Sequence, residues 1–273
     1  MPGEEVFEVY EFKPRRARLI APWDAEEALR GGSPRALEGL EGVGARVLEK
    51  IAESRKYYVA REGRLEPLEI RAGSYYKLLP VSPRSPPTLE IDGIHMHRIS
   101  GTDPLRDTLA KVRVARIGRG HRVLDTCMGL GYTAIASLRR GAVEVVTIEV
   151  DENVIVLASY NPWSRELARE EVTLIHGDAT RVVSFLRDEY FDRVIHDPPR
   201  YSGRTGDLYG TEFYRELYRV LRPGGVLFHY TGEAGKHRRL GLPGRTASML
   251  KKVGFVNVRF VDDAKGVVAV KPR

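Results

Sequence analysis

The segment VLDTCMGLGYTA, Val123–Ala134, decides how the rest of the chain is read. Its apolar start reads as a strand that stops at an acid, Asp125. Two glycines, Gly129 and Gly131, follow at close spacing, and a helix-forming run opens after them. Glycine lets a backbone turn tightly and come close to a ligand that a Cβ would hold off. A strand, a glycine loop and a helix in that order therefore predict either a tight connection or a binding loop.

From His121 onward the pattern is regular. The apolar runs HRVLDT, VEVVTIEV, VTLIHG, DRVIHD and GVLFHYT alternate with helical segments. Continuous apolar strands separated by helices predict a parallel sheet covered on both faces. The C-terminal FVNVRFVDDAKGVVAVKP predicts two strands joined by a tight turn. The expected fold class is α/β: an open, mostly parallel, doubly wound sheet with a smaller N-terminal α+β domain.

Residues 1–80 mix short strand-like runs with one helical stretch near 34–54, and SPRSPP (82–87) is the most linker-like piece. The expected division is 1–85, an accessory and substrate-binding domain, and 86–273, the catalytic domain. Asp92-Gly93 between extended runs predicts a hairpin. Asp103-Pro104 predicts an N-cap and first helical residue, opening a helix to about Arg116. Around Gly42-Val43-Gly44, LEGLEGVGARVLEKIAE resembles a helix–hairpin–helix element, although a plain helix pair fits the pattern as well.

In open parallel sheets, ligands bind at the carboxyl ends of the strands. Glu149 ends the next strand, 24 positions beyond Asp125, where an acid can bind a ribose diol. Asp178 follows the third strand, and Asp197 follows the fourth in VIHDPPRY. Four consecutive strands thus end in acids at one rim. Asp151 is read as the N-cap of a helix starting at Glu152.

These motifs, with LRPGGVLF further on, resemble the class I S-adenosylmethionine-dependent methyltransferases over roughly residues 103–273, in an archaeal-type, RNA-directed form. The resemblance implies S-adenosylmethionine as cofactor. It places the amino-acid end of the cofactor on Asp125, Cys127, Met128, Gly129, Leu130 and Gly131, the ribose at Glu149 and Val150, and the adenine at Gly177, Asp178 and Ala179. Cys127 replaces the usual first glycine of the loop, and no reactive role is expected of it. The positions after Gly131 depart from the G-x-G-x-x-G of dinucleotide oxidoreductases.

In this family a D-P-P-aromatic turn grips a planar amino group, so Asp197, Pro198, Pro199 and Tyr201 are the expected catalytic set. Arg200 stands where the aromatic residue is usual, with Tyr201 one position later. Positioning carries most of the rate in such a transfer. Methylation of pyrimidine carbon-5 requires a cysteine nucleophile at the reacting base, and the single cysteine, Cys127, sits in the cofactor loop. Arg200 and Arg204, then Lys236, Arg238 and Arg239, lie in loops beyond strands four and five. Basic residues interleaved with tyrosines suit RNA. The leading expectation is an RNA methyltransferase, acting on tRNA or rRNA at a base nitrogen. The alternatives are a small-molecule or protein N-methyltransferase and a spermidine-synthase-like aminopropyltransferase, whose polyamine pocket should be acidic. A non-catalytic RNA-binding protein fits poorly with four intact strand-end acids.

Composition bounds these readings. The chain has 273 residues, a net charge of +7, 42% hydrophobic and 30% charged residues. The positive balance favours polyanionic partners, and an Arg- and Glu-rich chain without Gln suits a heat-adapted organism. A lone cysteine excludes an internal disulfide and a cysteine-built zinc site. No metal, no membrane span and a cytoplasmic location are expected, because the N-terminal MPGEEVFEVY lacks a secretory apolar core. A homo-oligomer is left open.

Overall fold

The computed structural model describes residues 7–32, 40, 42–61, 64–203, 205–232 and 241–273. In chain order, β1 (Phe7–Tyr10) comes first. Seven short strands follow: β2 (Leu19–Ile20), β3 (Tyr58–Arg61), β4 (Arg64–Pro67), β5 (Glu69–Ala72), β6 (Ser74–Leu79), β7 (Thr88–Ile91) and β8 (Ile94–His95). The regular region supplies β9 (Arg122–Asp125), β10 (Glu144–Glu149), β11 (Val172–Gly177), β12 (Phe191–His196), β13 (Leu221–Tyr230), β14 (Val256–Val261) and β15 (Gly266–Val270).

The chain divides into two compact units. One comprises Met1–Phe12, Arg106–Glu152 and Glu166–Arg273; the other comprises Lys13–Leu105 and Asn153–Arg165. The first unit holds an eight-stranded sheet in the order β1-β11-β10-β9-β12-β13-β15-β14. From β11 through β13 every neighbouring pair is parallel. β14 and β15 form the expected antiparallel C-terminal pair, with β15 antiparallel to β13. The open, mostly parallel α/β sheet is as the alternation of runs predicts. β1, which the sequence reading grouped with residues 1–85, pairs antiparallel with β11, Phe7 opposite Gly177.

Strands buried on both faces need apolar residues at nearly every position, and Val145 through Ile148 are all buried. One core cluster joins Leu124, Ile148, Phe191, Val194 and Leu227 to Phe213, Tyr214 and Leu217 of the helix Thr211–Val220.

The second unit has two small antiparallel sheets, β2-β3-β4 and β5-β6-β7-β8. The expected hairpin is present: Ile91 pairs with Ile94, and Asp92 and Gly93 have φ of +47° and +81°, the primed turn that matches strand twist. Its core holds Ile20, Ala25, Leu40, Leu48 and Ile51. Of the helical stretch expected at 34–54, the described part is Ala45–Ala52, capped by Gly44. The first arm of the helix–hairpin–helix reading lies outside the described residues.

Candidate active site

Strand register fixes the height of each acid. Asp125 on β9 is level with Thr147 on β10 and Ile195 on β12, and Glu149 is level with His176 on β11. Glu149 and Asp197 therefore stand two residues past Asp125's level and Asp178 four, and Cys127 is the residue of the first strand's exit level with Glu149 and Asp197. The four acids expected in one row stand at three heights: Asp125 lowest, Glu149 and Asp197 two residues above it, and Asp178 two residues further out.

Asp125 is fully buried. Its Oδ2 accepts hydrogen bonds from Thr133 Oγ1 at 2.9 Å and Thr147 Oγ1 at 3.2 Å. Its Oδ1 is buried without a hydrogen-bond partner among the described residues. Burial, only partly offset by these hydroxyls, pushes its carboxyl up to about 7.

Glu149 organises the glycine loop. Its Oε2 accepts from the Gly129 backbone N–H at 2.9 Å, and its Oε1 from those of Val150 and Asp151 at 3.0 Å each. Burial outweighs these bonds and pushes it to about 7 as well. The loop closes through Gly131 N–H to Met128 O at 2.8 Å, and the Met128 N–H reaches back to Ile148 O. Gly129 and Gly131 have φ of +54° and +76°, the left-handed region glycine tolerates. Met128 and Leu130 are buried, so their side chains anchor the loop while its backbone faces the rim. Cys127 is half-buried, and burial raises its thiol well above the ordinary cysteine range, the opposite of activation.

Val150 is 65% exposed beside Glu149. Asp178 is exposed and caps the one-turn helix Ala179–Val182, with Oδ1 accepting from Thr180 N–H at 2.8 Å and Thr180 Oγ1 at 2.7 Å. Ala179 is buried under it, and Gly177 ends β11.

At the tip of β12, Pro198 is buried and Pro199 is exposed. Tyr209 Oη donates to Pro199 O at 2.7 Å, and Tyr201, 60% exposed, packs edge-on against Tyr209 at 5.4 Å. The expected aromatic neighbour of the turn is therefore shared: Tyr209 fixes the turn and Tyr201 covers it. Arg200 is exposed. Arg204, Lys236, Arg238 and Arg239 lie outside the described residues.

Sequence reasoning missed the partner of Asp197. Lys111, on the helix Pro104–Val114, donates to Asp197 Oδ2 at 2.6 Å and pairs with Asp107 Oδ2 at 2.8 Å. Burial opposes the charge on Lys111, but the two carboxylates outweigh it and hold the ammonium above the usual lysine range. Burial likewise raises Asp197. The spacing of Asp107 and Lys111, one helical turn apart, was the available signal. Two buried histidines lie behind the turn. His196 takes Thr126 Oγ1 at 2.7 Å and Leu208 O at 2.8 Å, and its ring lies 4.3 Å from that of His229. Burial lowers His196 to about 4 and His229 well below the ordinary value, so both are neutral at pH 7.

These residues suit a cationic, adenosyl-bearing cofactor. An added Cβ at Gly129 would meet nothing within 4 Å, which leaves backbone open for close approach. The orphaned Oδ1 of Asp125 is unsatisfied in a way that a positively charged or hydroxyl donor corrects, and burial of Glu149 leaves its carboxylate favouring a nearby positive or hydroxyl donor. Among the described residues, no group of three or more His, Cys, Asp or Glu is placed to hold a metal ion, and no helix is long and apolar enough to cross a membrane.

Residues 123–225 match the model of a methyltransferase domain. The chain is 51% identical over 229 residues to an uncharacterized protein, MJ1233, of Methanocaldococcus jannaschii, covering 83% of this chain and 78% of that one. It is 30% identical over 142 residues to putrescine N-methyltransferase 2 of Nicotiana attenuata, covering 51% of this chain and 38% of that one. Among solved structures, a spermidine synthase bound to the transition-state analogue AdoDATO shares the fold, with a TM-score of 0.60 at 19% identity over 74% of this chain and 72% of that one. The chain belongs to the class I S-adenosylmethionine-dependent methyltransferases, and S-adenosylmethionine is its cofactor.

The two raised acids give the cofactor-free protein a defined pH response. A carboxyl whose folded value lies above its unfolded one binds more protons folded than unfolded, so stability falls as pH rises from about 4 to 7. Asp125→Asn keeps an acceptor for Thr133 and Thr147 and removes the titration. We expect thermal melting of the variant to show a visibly shallower slope between pH 4.5 and 7 than the parent. An unchanged slope would mean that Asp125 is not the group responsible.

Proposed function

We propose that the chain transfers the methyl group of S-adenosylmethionine to an uncharged amino nitrogen of a base in RNA. The observation that carries this is the state of Asp197. Lys111 occupies its Oδ2, while its Oδ1 makes no hydrogen bond among the described residues, and neither does the carbonyl of Pro198 beside it. Those two oxygens can accept the two hydrogens of a planar amino group and turn its lone pair toward the methyl donor. The cofactor supplies an activated methyl on a positively charged sulfur. The N–C bond would form as the sulfur–methyl bond breaks and S-adenosylhomocysteine leaves, and the surplus proton on nitrogen would pass to Asp197 or to water. Asp125, Glu149, Val150 and Asp178, with the loop Cys127–Gly131 and the backbone from Gly177 to Ala179, hold the cofactor in this reading. Arg200, Arg204, Lys236, Arg238 and Arg239 hold phosphate, and residues 1–85 assist residues 86–273 in binding the substrate.

A second reading is transfer to an aliphatic amine, favoured by the similarity to the putrescine N-methyltransferase over 142 residues. Transfer of labelled methyl from S-adenosylmethionine to total tRNA, to rRNA and to putrescine, each at 50 and 200 mM salt, separates the two. RNA methylation should weaken steeply with salt, since phosphate contacts release counterions. Label entering putrescine alone, with no salt dependence, would overturn the RNA assignment.

A further inference from the structure

A buried ammonium must be paired, because removing a charge from water costs far more than one neutral contact returns. Lys111 is 2% exposed. Its Nζ lies between Asp107 and Asp197, and 4.5 Å from the centroid of the Tyr230 ring. Two carboxylates and an aromatic face are what a pocket offers to a protonated alkylamine. Here the chain fills that position with its own side chain.

We propose that Lys111 determines acceptor specificity: it is a built-in alkylammonium that occupies the cation position at Asp197 and so reserves the site for uncharged amino groups. The inference rests on Asp197 being the carboxylate that holds the acceptor, and it names what that carboxylate accepts. A neutral amine needs only Oδ1 and leaves Lys111 in place on Oδ2. A cationic amine must approach the ammonium of Lys111 and compete for a carboxylate already satisfied, and like charges brought together at a binding surface are strongly disfavoured. Without Lys111, Asp107 and Asp197 would face each other with no cation between them, next to a cavity the length of a butyl chain. Asp197, 17% exposed, keeps that cavity within reach of the rim.

The test uses the full chain, with Lys111→Ala, Lys111→Arg and the double variant Asp107→Asn with Lys111→Met. The double variant preserves net charge in case the single one does not fold. The first measurement is thermal melting with n-butylamine hydrochloride. We expect added butylammonium to raise the melting temperature of Lys111→Ala and to leave the parent and Lys111→Arg unmoved. The second is the ratio of label transferred to putrescine over label transferred to total tRNA. It should rise at least about tenfold in Lys111→Ala and in the double variant and stay at the parental value in Lys111→Arg. A purely structural role would lower both transfers together and leave the ratio unchanged, which overturns the proposal, as does failure of butylammonium to stabilise Lys111→Ala. Asp197→Asn in the same assay tests the underlying reading separately: parental transfer to tRNA by that variant means Asp197 does not hold the acceptor, whatever Lys111 does.

Discussion

Replacing Asp197 by alanine is expected to lower methyl transfer about 10²- to 10⁴-fold, the range spanned by positioned proton-transfer and acceptor groups. Cofactor affinity should stay within about threefold, because among the described residues the hydrogen bond and ion pair of Asp197 go to Lys111 and none goes to the glycine loop or Glu149. The change has a structural side as well. Lys111 loses its 2.6 Å partner and keeps Asp107 at 2.8 Å, so the buried ammonium is not orphaned. Breaking a buried pair outright costs about 3–5 kcal/mol, and retention of Asp107 should hold the loss below that. Titration calorimetry with S-adenosylhomocysteine, run beside the label-transfer assay, separates the two effects. Loss of cofactor binding in proportion to loss of turnover would show that Asp197 belongs to the cofactor site and not to the acceptor site.

Gly131→Ala should be the most destabilising single change in the loop. Its φ of +76° lies where an L side chain costs about 1–2 kcal/mol. The new Cβ would also sit 2.5 Å from Leu167 Cδ1 and 2.7 Å from its Cδ2. Leu167 is 2% exposed and has little room to yield, and overpacking of that kind adds about 1–3 kcal/mol. Together these should lower the melting temperature by roughly 5–15 °C. Gly129→Ala is the internal control. It has a positive φ too, but its Cβ would meet nothing within 4 Å, so only about 1–2 kcal/mol of strain applies. The same open space is where a ligand approaches, so Gly129→Ala should cost more cofactor affinity than stability. Equal melting temperatures for the two variants would refute the packing account of Gly131.

How far the sequence discloses the site depends on the range of each interaction. Asp125, Glu149, Asp178 and Asp197 each end an apolar run, and strand ends can be located from local pattern alone. Their relative heights cannot, because register is a property of pairs: that Asp125 stands level with Thr147, below Glu149, emerges only once β9 meets β10. The same holds for Lys111, 86 positions from Asp197. Nothing local marks a lysine on an amphipathic helix as buried, although Asp107 one turn earlier was a usable hint. Cys127 was legible in both respects, small enough for its loop and unsuited to nucleophilic work. Tyr209 has no local mark that separates it from the other tyrosines among the basic residues, since its bond to Pro199 O depends on how the intervening loop folds back. The parallel character of the sheet is foreseeable from the alternation of apolar runs with helices. The antiparallel β1 is not, because a four-residue strand carries no address for its partner.

That edge strand has a consequence for how the polypeptide is made. Phe7 pairs with Gly177 and Tyr10 with Leu174, so β1 leaves the ribosome long before its docking site exists. At synthesis rates of about 5–20 residues per second, it waits on the order of ten to thirty seconds. Completion of the large sheet is therefore a late, non-local event in biogenesis. A bulky group placed just before Phe7 would handicap that long-range pairing directly.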